Sequence, residues 1–264
     1  MDTAPGTAIG TAIGTAIGID IGGSGVKGAV VDVATGAFVS ARVRVPTPEL
    51  STPDAVAAVV AEVVAGLLGA PGPASLPMGV TVPGVVRRGV VHSAANIDAA
   101  WVGADAAALF APLTSGPVAV LNDADAAGLA EERYGAARGV PGVVLVTTLG
   151  TGIGSALLHD GRLVPNVELG HLEIGGRVAE QWAGDRARTR EDLDFATWAE
   201  RLSVYYGHVC RLVSPDLIVV GGGVSKHADR FLPLLDPAVV TAPVVPAGLR
   251  NRAGIVGAAA LAAR

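Results

Sequence analysis

The chain of 264 residues is long enough for one large domain or two of ordinary size, and its formal charge of −5 argues against a general binder of nucleic acid or of membrane surfaces. Half of the residues are hydrophobic but only 4% are aromatic, and 36 are glycine, so the packing must rest on Val, Ala, Leu and Ile, as suits an α/β protein. Cys210 is the only cysteine, which excludes an intramolecular disulfide and a cysteine-rich zinc site. No apolar run approaches the roughly 20 residues of a membrane helix. The apolar residues 6–19 have the length of a signal-peptide core but no basic residue before them, so the expected setting is cytoplasmic.

Residues 6–17 repeat Gly-Thr-Ala-Ile three times, a period too short for a solenoid. Residues 1–16 therefore read as a low-complexity extension, and 17–21 as the first buried strand, with the earlier copies peripheral. That strand runs into Asp20-Ile21-Gly22-Gly23-Ser24-Gly25-Val26-Lys27. Glycines admit positive φ and close approach of a ligand, and successive N–H groups in such a turn can cradle phosphate. Asp20 would be repelled by bare phosphate. It fits if Mg²⁺, metal-bound water or a phosphoryl group in transit lies between them; a tight hairpin with a solvated acid is the plainer alternative.

Residues 29–33 and 38–45 read as further strands of an antiparallel meander joined at Thr35-Gly36. A helix is expected over 54–68, then a Pro/Gly-rich linker, a strand over 78–82 ended by Pro83-Gly84, and another over 85–91. Residues 93–98 form a polar loop anchored by Trp101, and 105–113 look helical. A buried strand, 118–121, ends at Asn122-Asp123-Ala124-Asp125, with a helix expected over 126–134. The strand 143–148 then runs into Gly150-Thr151-Gly152-Ile153-Gly154 and a strand at 155–158, which repeats the opening pattern of strand, glycine turn and strand. Beyond it the charged stretch 177–194 is expected to be exposed, 195–213 helical, and 217–220 a strand broken by Gly221, Gly222 and Gly223. Helices are expected over 225–235 and 253–263.

Taken singly, these motifs have plain readings. Asp125 suits a helix N-cap, and Asn122 a turn. Asp123 directly follows an apolar strand, at the carboxyl end where ligands gather in α/β sheets. Glu168 and His171 lie three apart: too few ligands for a metal site, but apt as acceptor and donor–acceptor for sugar hydroxyls, or as a structural pair.

Together the motifs resemble the ROK family of repressors and sugar kinases. The resemblance rests on Asp20 through Lys27, Thr81-Val82-Pro83-Gly84, Ala94-Ala95-Asn96-Ile97-Asp98, Asn122-Asp123-Ala124, Leu149-Gly150-Thr151-Gly152-Ile153-Gly154, Glu168-Leu169-Gly170-His171 and Val220-Gly221-Gly222-Gly223. Ser24 stands where Thr is more usual. The resemblance implies an α/β fold of the actin-like ATPase (ribonuclease-H-like) class, with two lobes and a central cleft. Its N-terminal lobe would span 17–121, joined by the returning helix 253–264, and its C-terminal lobe 122–252. It implies transfer of a terminal phosphoryl group from inorganic polyphosphate, with ATP as a further donor, to the 6-hydroxyl of glucose. Asp123 would act as general base, and Asp20, Gly22, Gly23, Ser24, Lys27, Gly150, Thr151 and Gly152 would bind phosphate with Mg²⁺. Pro83, Gly84, Asn96, Asn122, Asp123, Glu168, His171 and Glu180 would bind the sugar, and Gly221, Gly222 and Gly223 would lie on the nucleotide side. No zinc site, no nucleic acid and no membrane are implied, and a homodimer is.

A polyphosphate groove would need Arg or Lys; the candidates are Arg87, Arg88, Lys226, Arg230, Arg250 and Arg252. An ATP-dependent glucokinase or another hexose kinase is the alternative, and a non-catalytic sugar-binding regulator a more distant one.

Overall fold

A computed structural model describes residues 14–94 and 96–264. The expectation about the repeat units before residue 14, and the place of Ala95 in the polar loop, lie outside the described residues. The chain divides into two units, Met1–Val120 with Ala258–Arg264, and Leu121–Gly257.

The first unit is built on a six-stranded sheet. Its strands are β1 (Thr15–Gly22), β2 (Gly25–Asp32), β3 (Ala37–Phe38) and β4 (Val43–Val45). They are joined by β5 (Met78–Val82), which follows helix α1 (Pro53–Leu68). A small hairpin, β6 (Val86–Arg87) with β7 (Val90–Val91), and the short helix α2 (Ala106–Phe110) come next, before β8 (Val118–Asn122). The order is β3-β2-β1-β5-β8, with β4 also on β2. β1 and β2 are antiparallel, and β1 and β5 parallel.

β1 begins at Thr15, two residues earlier than expected, because Thr15 and Ala16 pair with Asp32 and Val31. These residues therefore belong to the sheet and not to an extension. The expected strand over 38–45 is two short strands, since Val43–Val45 pair with a different stretch of β2 from Ala37–Phe38. The expected strand over 85–91 is likewise a tight hairpin, turning at Arg88 and Gly89, both at positive φ.

Alternation decides the core. Ile17, Ile19 and Ile21 point to one face and are fully buried, where they cluster with Val56, Val60 and Val63 of α1. Each such side chain contributes roughly 1.5–3 kcal/mol on removal from water. Gly28 lets the layers approach, because a Cβ there would lie 2.7 Å from both Ile19 Cδ1 and Val63 Cγ1. Thr52 caps α1 ahead of Pro53, and Gly69 ends it at φ 74.

The second unit starts as helix α3 (Asp123–Tyr134) leaves the end of β8. Its sheet holds β9 (Val143–Leu149), β10 (Ile153–His159) and β11 (Arg162–Val164), and two later strands, β14 (Leu217–Gly221) and β15 (Val244–Pro246). Between them lie the hairpin β12 (Glu173–Ile174) and β13 (Arg177–Val178), then α4 (Ala179–Ala183), α5 (Asp185–Arg190) and α6 (Phe195–Val213). The chain ends in α7 (Ala253–Ala262). The order β11-β10-β9-β14-β15 repeats that of the first sheet, an antiparallel glycine hairpin followed by parallel strands. This is the actin-like ATPase fold, with its sheet motif present twice.

Two expectations fail here. Residues 177–194 are not simply exposed, because Ala179 and Ala183 share one face of the first short helix and are buried, as is Ala187 on the second. The helix expected over 225–235 is a run of 3₁₀ turns, Gly223–Arg230 and Leu232–Leu234. His227 is non-helical and Pro233 lacks a donor, so an α-helix cannot continue. The unit boundary also falls inside α7, so its residues before Ala258 belong to the second unit.

Candidate active site

In the first unit, Asp20 lies opposite Lys27 across the β1–β2 hairpin. The Lys27 ammonium is 3.4 Å from Asp20 Oδ2, and the Thr81 hydroxyl donates to Oδ1 at 3.1 Å. Gly22 pairs with Gly25, which leaves Gly23 and Ser24 exposed at the tip. The Arg44 guanidinium donates to the Ser24 carbonyl at 2.9 Å. It fills the space a side chain at Gly25 would need, with Arg44 Nε 2.8 Å from a Cβ placed there. The Thr47 hydroxyl donates to the Gly22 carbonyl. Gly23 lies against the Asn96 backbone, 3.2 Å from its carbonyl oxygen to a Cβ at Gly23, and Asn96 is held at φ 60. Gly84, after Pro83, backs onto the Ser93 carbonyl. The glycine turn and the Asn96 loop thus adjoin, with two cations, Lys27 and Arg44, at the turn.

In the second unit, Asn122 is the N-cap of α3, its side-chain oxygen accepting from the Ala124 and Asp125 N–H groups at 2.8 and 3.0 Å. The helix therefore starts at Asp123, three residues before the expected point, and its first turn carries acids as the helix dipole favours. Asp123 Oδ1 accepts from the Ala124 N–H at 2.9 Å, and the residue is half-buried. Asp125 is not the cap. It is 2% exposed, and its Oδ2 accepts from the Asn166 N–H at 2.9 Å.

The second glycine turn closes on itself, the Gly150 N–H donating to the Gly152 carbonyl at 3.0 Å. The Gly150 carbonyl in turn accepts from the Arg186 N–H at 3.0 Å. Thr151 is exposed at the tip. Gly152 makes room for Glu180, whose Oε2 lies 2.2 Å from a Cβ placed at Gly152 and accepts from the Ile153 N–H at 3.2 Å. Glu180 Oε1 is 3.7 Å from His171 Nε2. Glu168 caps the 3₁₀ turn Leu169–His171 without a side-chain bond. Burial raises the Glu168 carboxyl, His171 partly offsets this, and Glu180 adds to it. Glu168, His171 and Glu180 therefore form one electrostatic group beside the turn. Gly222 adjoins the same turn, since a Cβ there would lie 2.2 Å from the Leu149 carbonyl oxygen.

Sequence reasoning missed Arg44, Arg186, the bond from Thr81 to Asp20 and the true place of Asp125. Thr81 was visible only as part of a strand end. The pairing of Lys27 with Arg44 depends on the register between β2 and β4, which the sequence alone does not display. Among the described residues, no three His, Cys, Asp or Glu side chains gather as metal ligands, and no helix is long and apolar enough to cross a membrane.

Burial pushes the Asp125 carboxyl from 3.8 up to about 6, against the lowering effect of the Asn166 bond, with the Glu168 charge adding to the rise. A carboxyl raised on folding favours the folded state fully below its unfolded pKa, and that contribution is lost as pH rises through the folded value. Asp125 should thus cost up to about 3 kcal/mol between pH 4 and 7. Urea melts of wild type and Asp125→Asn over that range should diverge accordingly; parallel pH profiles would contradict the assignment.

A sequence profile described as "ROK family" matches residues 16–185. The chain is 49% identical over 241 residues to a polyphosphate glucokinase of Mycobacterium tuberculosis, covering 91% of this chain and 88% of that protein. The crystal structure of an inorganic polyphosphate/ATP-glucomannokinase from Arthrobacter sp. strain KM superposes with a TM-score of 0.88 at 53% identity, covering 95% of this chain and 99% of that one. A ROK family glucokinase from Streptomyces griseus, in complex with glucose and AMPPNP, superposes with a TM-score of 0.79 at 25% identity, covering 94% and 99%.

Proposed function

Because the chain belongs to the ROK family, we infer that it is a kinase that phosphorylates glucose with inorganic polyphosphate as the phosphoryl donor. The observation that carries this reading within the second unit is the position of Glu180. One of its oxygens accepts from the Ile153 N–H, directly after the Gly150-Thr151-Gly152 turn, and the other faces His171, so a phosphate-type turn and a sugar-type acid–imidazole group adjoin one side chain.

Phosphoryl transfer needs mainly alignment and charge stabilisation. In the first unit, Pro83, Gly84 and Asn96 are the residues proposed to meet the sugar; in the second, Asn122, Glu168, His171 and Glu180 would hold sugar hydroxyls and present the 6-hydroxyl. Asp123 would accept its proton as the oxygen attacks. In the second unit Gly150, Thr151 and Gly152, and in the first the turn from Gly22 to Ser24 with Lys27, would each receive phosphate oxygens. Asp20 is a single carboxylate shared with a lysine, which fits Mg²⁺ held mostly by phosphate oxygens and not by a protein cage. When bound, Mg²⁺ would neutralise charge on the transferring group.

Of the cations named from sequence, Lys226 and Arg230 lie in the 3₁₀ run Gly223–Arg230 that follows Gly222, and the Arg230 guanidinium is 4.3 Å from the centre of the Phe195 ring. These are candidates to meet a polyphosphate chain in this unit, as is Arg186, whose backbone N–H meets the Gly150 carbonyl. ATP is a second donor in this reading, favoured by the intact glycine turn at Gly221, Gly222 and Gly223, and mannose a second acceptor by likeness to the glucomannokinase. A cytoplasmic homodimer completes the proposal; sedimentation as a single monomeric species would count against the dimer.

A coupled assay for glucose 6-phosphate, with polyphosphate and ATP supplied separately, tests the activity. Product is expected with polyphosphate, and none with either donor would favour a sugar-binding protein. His171→Ala should raise the glucose KM more than the donor KM; the reverse pattern would move His171 out of the sugar site.

A further inference from the structure

Asp125 is a charged group for which the proposed phosphoryl transfer has no use, and its surroundings are unusual. It is 2% exposed in the first turn of α3. Its Oδ2 accepts from the Asn166 N–H at 2.9 Å, while its Oδ1 is buried without a hydrogen-bond partner. Leaving such an oxygen unpaired is unfavourable, and the start of α3 does not require it, because Asn122 already satisfies the helix cap.

What the bond does is fix one point of the segment that leads to Glu168 and His171. Asn166 is in the left-handed region at φ 60, a conformation uncommon for a residue with a side chain. From the next residue on, Ser155 takes over. Its hydroxyl donates to the Val167 carbonyl at 2.6 Å and accepts from the Leu169 N–H at 2.8 Å. Gly170 then packs directly on the Ile153 carbonyl. Glu168 is thus suspended between anchors on both sides, and Asp125 supplies the first.

We propose that Asp125 is a positioning residue for glucose: by holding the Asn166 N–H it sets the path of residues 166–168, and so the direction in which Glu168 and His171 are presented. The proposal rests on the reading of Glu168 and His171 as sugar ligands. Asp125 itself touches no substrate in it, and the donor side is unaffected.

The test compares Asp125→Ala with Asp125→Asn, in full-length protein, by steady-state kinetics with glucose and polyphosphate varied separately and with thermal melts of each. Asparagine keeps an oxygen for the Asn166 N–H and should hold the glucose KM within about threefold of wild type. Alanine removes the acceptor and should raise it on the order of tenfold or more, with the polyphosphate KM unchanged. If Asp125→Ala does not fold, Asp125→Ser takes its place, since its hydroxyl is too short to reach Asn166. A glucose KM equal in the alanine (or serine) and asparagine variants, or a change confined to kcat or to the melting point, would overturn the proposal. Glu168→Gln and His171→Ala are measured alongside. If neither alters glucose KM, the sugar-site reading fails; if they do and the Asp125 pair does not, the positioning role alone fails.

Discussion

Asp123→Asn should fold as the wild type does and lose about 10²–10⁴ of its turnover, the usual contribution of a general base. The fold should persist because α3 is capped by Asn122, which makes two bonds to the first turn, and because the amide oxygen of asparagine can still accept from the Ala124 N–H as Asp123 Oδ1 does at 2.9 Å. What the variant lacks is a group that can take a proton from an attacking hydroxyl. The loss should appear in kcat, with the glucose KM changed little, since an asparagine can still hold a hydroxyl. The coupled assay and a circular-dichroism melt on the same preparation decide it. Turnover near that of the wild type, with an unchanged melt, would remove Asp123 from the chemistry.

The second large effect concerns the turn after β14. Gly222 sits at φ 84 and ψ 176, a region that is essentially closed to other residues. A methyl there would also lie 2.2 Å from the Leu149 carbonyl oxygen and 2.6 Å from its nitrogen, and backbone cannot swing aside as a flexible side chain can. Gly222→Ala should therefore cost about 3 kcal/mol or more, from backbone strain and overpacking together. In a chain of this size that corresponds to a fall in Tm of roughly 6–12 °C. Because Leu149 leads directly into the Gly150 turn, surviving protein should also bind its phosphoryl donor less well. Gly223→Ala is the control: it has nothing within 4 Å of a Cβ and no positive φ, and should change Tm little. Equal melts for the two variants would show that the turn relaxes freely.

The contrast between these neighbouring glycines also marks what could be read from the sequence. The tripeptide Gly221-Gly222-Gly223 was visible as a break, yet nothing in it distinguished the glycine that meets another strand from the one that faces open space. Strands and hairpin turns were legible where alternation was clean, as in Ile17, Ile19 and Ile21, or where a run was wholly apolar, as in Leu217 to Val220. Boundaries moved where a polar residue could play two parts. Asn122 and Asp125 both suit a cap, and only the buried contact with Asn166, 41 residues away, shows which of them serves. Residues 177–194 read as exposed because charge dominates the count, while three alanines on two short helices are buried. Motif order exposed the family, but the pairing of Arg44 with Lys27 and of Thr81 with Asp20 came into view only through strand register.

The opening strand holds one more consequence. Its first residues, Gly14-Thr15-Ala16-Ile17, with Thr15–Ile17 inside β1, are themselves a unit of the tetrapeptide tract, and a strand returns each side chain to the same face every two residues. Four is a multiple of two. Gain or loss of whole units upstream would therefore present the same threonine, alanine and isoleucine to the same partners, Asp32, Val31 and Val30. The tract can vary in copy number while the sheet keeps its phase, whereas an insertion of a single residue between Thr15 and Ile17 would turn one end of the strand inside out.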